Sequence, residues 1–297
     1  MTDQEVELHP GDLVEHATFG LGKVLDVQLT NVLVHFRDDN QDVRKLSIEK
    51  APLTLPADQS DPLLDCLLPF NEGKFESRVK RVGLGDAIAA FCETYPKGFE
   101  DPAYVGADAG ERADKWAAHE LYESTLGNGL GEALLEAGEM AELAHLVEKI
   151  VVPTKMLGKF EAIALRDGLK DEAAAQPFFE ALFALVAAPP DATRFAALAA
   201  ALEKLPSKTG KSRVTTWPVL TILPSLARPD RFVFLKPDPS VAGAQRLRFD
   251  LEYDAELRWV TYRNLLALAD SLLEKLRPLG ARDYLDVLSF LWIIEKV

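Results

Sequence analysis

Residues 16–27, HATFGLGKVLDV, set glycines at 20 and 22 around a single leucine, just where apolar and polar residues begin to alternate. Alternation with period two marks a strand with one buried face. Glycine inside such a run weakens it unless the backbone needs a bulge or a positive φ, which only glycine adopts cheaply. The neighbouring stretches carry the same period. Leu13-Val14 leads to His16, Lys23–Val27 is followed by Val32–Phe36, and a polar turn at Asp38-Asp39-Asn40-Gln41 leads to Val43 and Leu46. Four or five short β runs with turn residues between them predict a small antiparallel barrel over residues 1–55.

The words GDLVEHATFGLGKVLDV, VLVHF and KLSIEKAPL resemble the Tudor/SH3-like barrels of bacterial transcription and repair proteins, such as the CarD-type transcription regulators and the C-terminal module of UvrD-type helicases. The resemblance rests on Gly11, Asp12, Val14, His16, Phe19, Gly20, Gly22, Val24, Val34, Phe36, Leu46 and the closing Ala51-Pro52-Leu53. It covers about a fifth of the chain. It implies a docking unit, with RNA polymerase as the protein partner, that uses an exposed strand edge and a few apolar side chains. Val32, Val34 and Phe36 are the candidate partner contacts, with the barrel core as the alternative place for any of them. Barrels of this kind serve many partners, so the fold does not fix the partner.

TLPADQSDP at 54–62 carries two prolines among polar residues and reads as a connector, taken here as 56–72. Residues 73–205 change to helical period. Apolar residues recur at helical spacing in Leu84–Tyr95, Glu111–Leu126, Leu130–Ala137, Glu139–Val151, Phe160–Leu169, Asp171–Ala187 and Asp191–Leu205, with Asp171 and Asp191 as expected N-caps. Short loops between such helices predict antiparallel packing in a bundle. From 206 to 297 the pattern mixes: WPVLTILPSLARP is apolar but broken by prolines, Phe232–Leu235 and Phe249–Asp254 read as strands, and Trp259–Leu276 and Arg282–Glu295 read as closing helices. The expected class is therefore α+β: a small barrel, then a predominantly helical body with a possible small sheet in its last third.

The chain has 297 residues and a net charge of -14, which argues against a surface that coats phosphate backbones throughout. The charge is uneven. Residues 204–263 carry a net +5 and the remainder -19. Lys208, Lys211, Arg213, Arg228, Arg231, Arg246 and Arg248 in that segment are interleaved with Trp217, Phe232, Phe234, Phe249, Trp259 and Tyr262, a mixture that suits nucleic-acid contact. An anionic partner is expected there if anywhere. The N-terminus lacks the apolar core of a secretory signal, and no apolar run reaches bilayer length, so the expected location is the cytoplasm, away from membranes.

Catalytic patterns are weak. KTGKS at 208–212 ends like a phosphate-binding loop, but Leu205 occupies the place of its first glycine. His119-Glu120-Leu121-Tyr122-Glu123 begins like a zinc-peptidase motif, yet Glu123 stands where the second histidine belongs. Asp250, Glu252 and Asp254 alternate with Phe249, Leu251 and Tyr253. A solvent-facing strand gives that spacing for no functional reason and is the favoured reading; the rival is a hard-cation site in a metal-dependent nucleic-acid-processing or defence enzyme. Cys66 and Cys92 lie in apolar surroundings and read as inert packing. No cofactor motif is present, and the leading expectation is a non-enzymatic adaptor of transcription or nucleic-acid metabolism.

Overall fold

A computed structural model describes residues 7–39, 41–51, 53–70, 81–106, 110–207 and 214–296. The architecture is α+β. Five strands, β1 (Leu13–His16), β2 (Gly20–Val27), β3 (Asn31–Phe36), β4 (Arg44–Ser47) and β5 (Leu53–Thr54), make one antiparallel sheet in the order β4-β3-β2-β1-β5. It curls into a half-barrel.

The two glycines serve different needs. Gly20 has φ 74°, the left-handed conformation that turns β1 into β2. At Gly22 a Cβ would stand 2.6 Å from the Phe36 ring and 2.8 Å from the His35 carbonyl, so no side chain fits where β2 crosses β3. The bulge lies further on: Val24 pairs with Val34 and Asp26 with Leu33, leaving Leu25 as the extra residue. That insertion puts Val24 and Leu25 into different cores. Val24 joins Val14, Val32, Val34 and Phe36 inside the sheet, while Leu25 and Leu13 join the core of the helical body.

The body is built from α1 (Pro62–Asp65), α2 (Leu84–Thr94), α3 (Pro102–Val105), α4 (Ala113–Thr125), α5 (Leu130–Glu136), α6 (Met140–Val151), α7 (Lys159–Gly168), α8 (Glu172–Val186), α9 (Ala192–Lys204), α10 (Trp217–Ala227), α11 (Pro237–Arg246), α12 (Trp259–Leu276) and α13 (Tyr284–Ile294). Asp171 and Asp191 cap α8 and α9 through side-chain oxygens, as expected of short acceptors ahead of an apolar run. Among the described residues, no helix is long and apolar enough to cross a membrane.

Three readings change. First, the stretch read as a connector is a seam. Leu63, Leu64, Cys66 and Leu67 are buried, Asp61 caps α1 and pairs with Arg37, and Lys23 Nζ donates to the Leu64 carbonyl at 3.0 Å. The Phe70 N–H donates to the carbonyl of the bulged Leu25 at 2.9 Å. Second, the proline-broken run 217–229 contains α10, every residue of which is buried. Pro218 stands in its first turn, where an N–H has no helical acceptor to lose.

Third, neither strand expected in the last third forms a ladder. Phe232–Leu235 is buried, but its polar groups are satisfied by turns and side chains: Leu235 N–H by Thr221 Oγ1 at 2.9 Å, and the Val233 carbonyl by Tyr262 Oη at 3.0 Å. Phe249–Asp254 contributes one isolated bridge, Leu67 to Phe249, before Glu252 turns out of extension at φ 48°.

Candidate functional site

The candidate partner contacts Val32, Val34 and Phe36 lie on a strand paired on both sides, and all three are fully buried. A sheet this small needs its inward positions for its own core, so these side chains fill the module and present nothing outward. The open backbone belongs to β4 and β5, each paired on one side only among the described residues. The Ile48 N–H donates to the Thr30 carbonyl, which makes 44, 46 and 48 the bonded positions of the ladder and turns the backbone of Lys45 away from β3. Beside that edge stand two exposed apolar side chains, Leu29 in the β2–β3 turn and Ile48 just after β4. Lys45 is exposed between them and the aromatic end of the sheet, where Arg44 lies 3.9 Å over the Phe19 ring.

The basic residues do not assemble into one stripe. Lys208, Lys211 and Arg213 lie outside the described residues. Arg228 is held in a fork by Asp230 at 2.9 and 2.8 Å, and Arg231 contacts the same carboxylate at 3.4 Å. Arg246 donates to the Glu295 carbonyl at 3.2 Å. Arg248 stacks 3.9 Å over Phe70, with φ 70° and a buried Nε that has no hydrogen-bond partner among the described residues. Burial, followed by the neighbouring Arg81, lowers its pKa, which Asp42 opposes. Its charge is therefore tied to the seam with the sheet.

The carboxylates proposed for a cation do not converge either. Asp250 Oδ1 accepts from Glu252 N–H at 2.9 Å, Asp254 Oδ1 accepts from Glu256 N–H at 3.0 Å, and Glu252 Oε1 accepts from Asn264 at 3.3 Å. The first two are local turn bonds and the third ties Glu252 to α12, and no group of three or more metal-binding side chains exists among the described residues. Cys66 is inert: burial pushes its thiol up to about 12.

What sequence reasoning missed is a corner. The loop after α10, Arg228-Pro229-Asp230-Arg231, borders three clefts. Arg228 borders one of about 320 Å³ between α4, α5 and α8. Pro229 and Asp230 border a second of about 790 Å³, floored by Arg112, Trp116 and Arg282. Asp230 and Arg231 border a third of about 690 Å³, where the β3–β4 turn (Arg37, Asp38) meets α12 (Arg263, Asp270). His119 lines the first and second, its Nδ1–H donating to the Leu226 carbonyl at 2.7 Å. Between the second cleft and the core, Arg112 bridges Asp283 at 2.8 Å and Asp286 at 2.7 Å, and Tyr104 Oη donates to Asp286 at 2.7 Å. Those partners are more than 170 positions apart in sequence, so local patterning could not have found them. No family model, curated protein or solved structure matches this chain.

Proposed function

We propose that the N-terminal sheet is an SH3-like docking module of the Tudor type, and that the protein is a non-enzymatic adaptor of transcription or nucleic-acid metabolism. The observation that carries this reading is the outer edge of β4, whose Lys45 backbone faces away from β3 beside the exposed Leu29 and Ile48. An extended partner segment can add to such an edge, taking affinity from main-chain hydrogen bonds and register from the apolar side chains. The exposed Lys45 and Lys50 favour a segment that carries carboxylates beside its apolar residues. The helical body is then the part that the module brings to its partner. The expected partner is RNA polymerase, on the strength of the family resemblance.

The test is a pull-down of purified bacterial RNA polymerase by the full chain. The Lys45→Pro variant removes one outward N–H and leaves the β3–β4 bonds intact, so it should lose most of the captured polymerase while melting close to the parent. Leu29→Asp should lose capture as well. An intact chain that captures no polymerase, or a Lys45→Pro variant that captures it equally, overturns the reading.

A further inference from the structure

Phe160 and Val152 are 67% and 55% exposed, and among the large apolar side chains of the described residues only Leu29 exceeds them. They stand at the two ends of one short turn, Val152 where α6 runs out and Phe160 in the first turn of α7. That turn does not lack a core to bury them in. Val151, Thr154, Met156 and Leu157 are all buried. Thr154 Oγ1 donates to the Val151 carbonyl at 2.7 Å and accepts from the Met156 N–H at 3.2 Å, and Lys155 then turns the chain at φ 55°. A pinned backbone therefore holds Val152, Pro153 and Phe160 out in solvent.

The charge around them has one sign. Residues 149–160 contain Lys149, Lys155 and Lys159 and no carboxylate, in a chain of net charge -14. All three lysines are exposed, and none has an ion pair among the described residues. Lys149 lies one helical turn before Val152 and Lys159 immediately precedes Phe160, so each apolar side chain has a cation beside it. The flanking acids are already engaged: Glu148 lies 3.8 Å from Arg166, and Glu161 accepts from the Gly158 N–H at 2.8 Å and from Thr216 at 3.3 Å. Lys236, at the start of α11, adds a fourth cation behind the turn, donating to the Met156 carbonyl at 3.4 Å.

The apolar side chains choose among the anionic partners that such lysines suit. Nucleic acid gains little from Val152 and Pro153, which offer no ring face to a base. An acidic protein needs a shape to fit, and these residues line none of the three clefts. A lipid surface needs no shaped receptor: it takes up projecting apolar groups and spreads its charge over many headgroups, where flexible lysines reach it along their own stems. We propose that the α6–α7 turn is a membrane-docking tip, seating Val152, Pro153 and Phe160 among the headgroups of an anionic lipid surface while Lys149, Lys155 and Lys159 meet its phosphates. Contact of this kind lies on the surface and needs no membrane-crossing helix. The tip shares no residue with the β4 edge, so failure of either leaves the other standing.

The experiment sediments the full chain with vesicles of phosphatidylcholine alone and of phosphatidylcholine and phosphatidylglycerol in equal parts. The chain should follow the mixed vesicles only, and its binding should fall about tenfold or more as the ionic strength is raised. Phe160→Asp should weaken binding about tenfold or more. Lys149→Gln, Lys155→Gln and Lys159→Gln together should abolish it. All four positions are exposed, so both variants should melt close to the parent. No binding to the mixed vesicles at low ionic strength, equal binding to phosphatidylcholine alone, or undiminished binding by Phe160→Asp overturns the assignment. Tighter binding of single-stranded DNA or polyglutamate than of vesicles, lost in the lysine variant and kept in Phe160→Asp, also overturns it and gives this face to a nucleic acid or an acidic protein.

Discussion

The two cores of this molecule differ in what they could sustain alone. The sheet's own core is five side chains, Val14, Val24, Val32, Val34 and Phe36, each fully buried. The helical body's core runs continuously from the seam helix α1 to α13 and takes Leu13 and Leu25 from the sheet. Adjacent residues on two strands therefore serve opposite masters: Leu13 against Val14, and Val24 against Leu25. A sheet buried on both faces gains stability from its neighbour but loses independence. The lesson is that a module recognised by its strand pattern need not be a separate domain. The bulge at Leu25 and the buried seam at 61–70 make this one part of a larger folding unit.

The strongest way to break that comparison is to disable the body and watch the sheet. Arg112→Leu leaves Asp283 buried without its cation and Asp286 with Arg282 alone, in a site where Arg112 is 5% and Asp286 0% exposed. Removing one partner of a buried pair costs about 3–5 kcal/mol. Chemical denaturation should lose that much and still show one transition, followed by tryptophan fluorescence for the body, whose helices hold all four tryptophans, and by amide exchange in β1–β5 for the sheet. Two separated transitions would mean that the sheet stands alone after all.

Leu25→Ala tests the same point from the other side. It empties a site in the body's core while leaving the sheet's five-residue core untouched, and truncations of this kind cost about 2–5 kcal/mol. The expected loss is global, with amide protection falling in α1 and α12 as well as in the strands, read by hydrogen exchange. Loss of protection confined to residues 13–54 would show that the two cores are uncoupled.

The smallest effect is a pH dependence at the seam. His35 is 3% exposed, its Nδ1–H donates to the Asp42 carbonyl at 2.7 Å, and its Nε2 has no partner among the described residues. Burial, then the nearby Lys275, lowers its pKa below the ordinary 6.5. Between the folded value and 6.5 the unfolded chain binds more protons than the folded one, so stability is full above 6.5 and falls as the pH drops below it. His35→Leu should flatten the decline between pH 6.5 and 5 in the melting temperature relative to the parent. An unchanged slope would place the acid sensitivity elsewhere.

How much of this could be read in advance follows the reach of the forces involved. Strands β1 to β4 and helices such as α12 were legible because period and caps are local, and Asp171 and Asp191 cap helices as their sequence neighbours require. Helix α11 was missed because Pro237 and Pro239 obscure a short run, and α10 because its prolines looked like breaks when one of them opens the helix. Val32, Val34 and Phe36 stood between partner face and barrel core, because the alternation alone could not say which face was the core. Phe249–Asp254 kept its alternation at Phe249 and Leu251, but an alternating run needs a neighbour to become a ladder, and only Leu67 supplies one bridge. The cleft bordered by Arg228 depends on how α4, α5, α8 and α10 meet, which no window of sequence contains.

Three clefts share the turn from Arg228 to Arg231, and its charged groups are locked to each other at Asp230. A wall common to several rooms cannot be shifted for the sake of one. A guest that displaced this turn from one side would change the walls of the other two hollows.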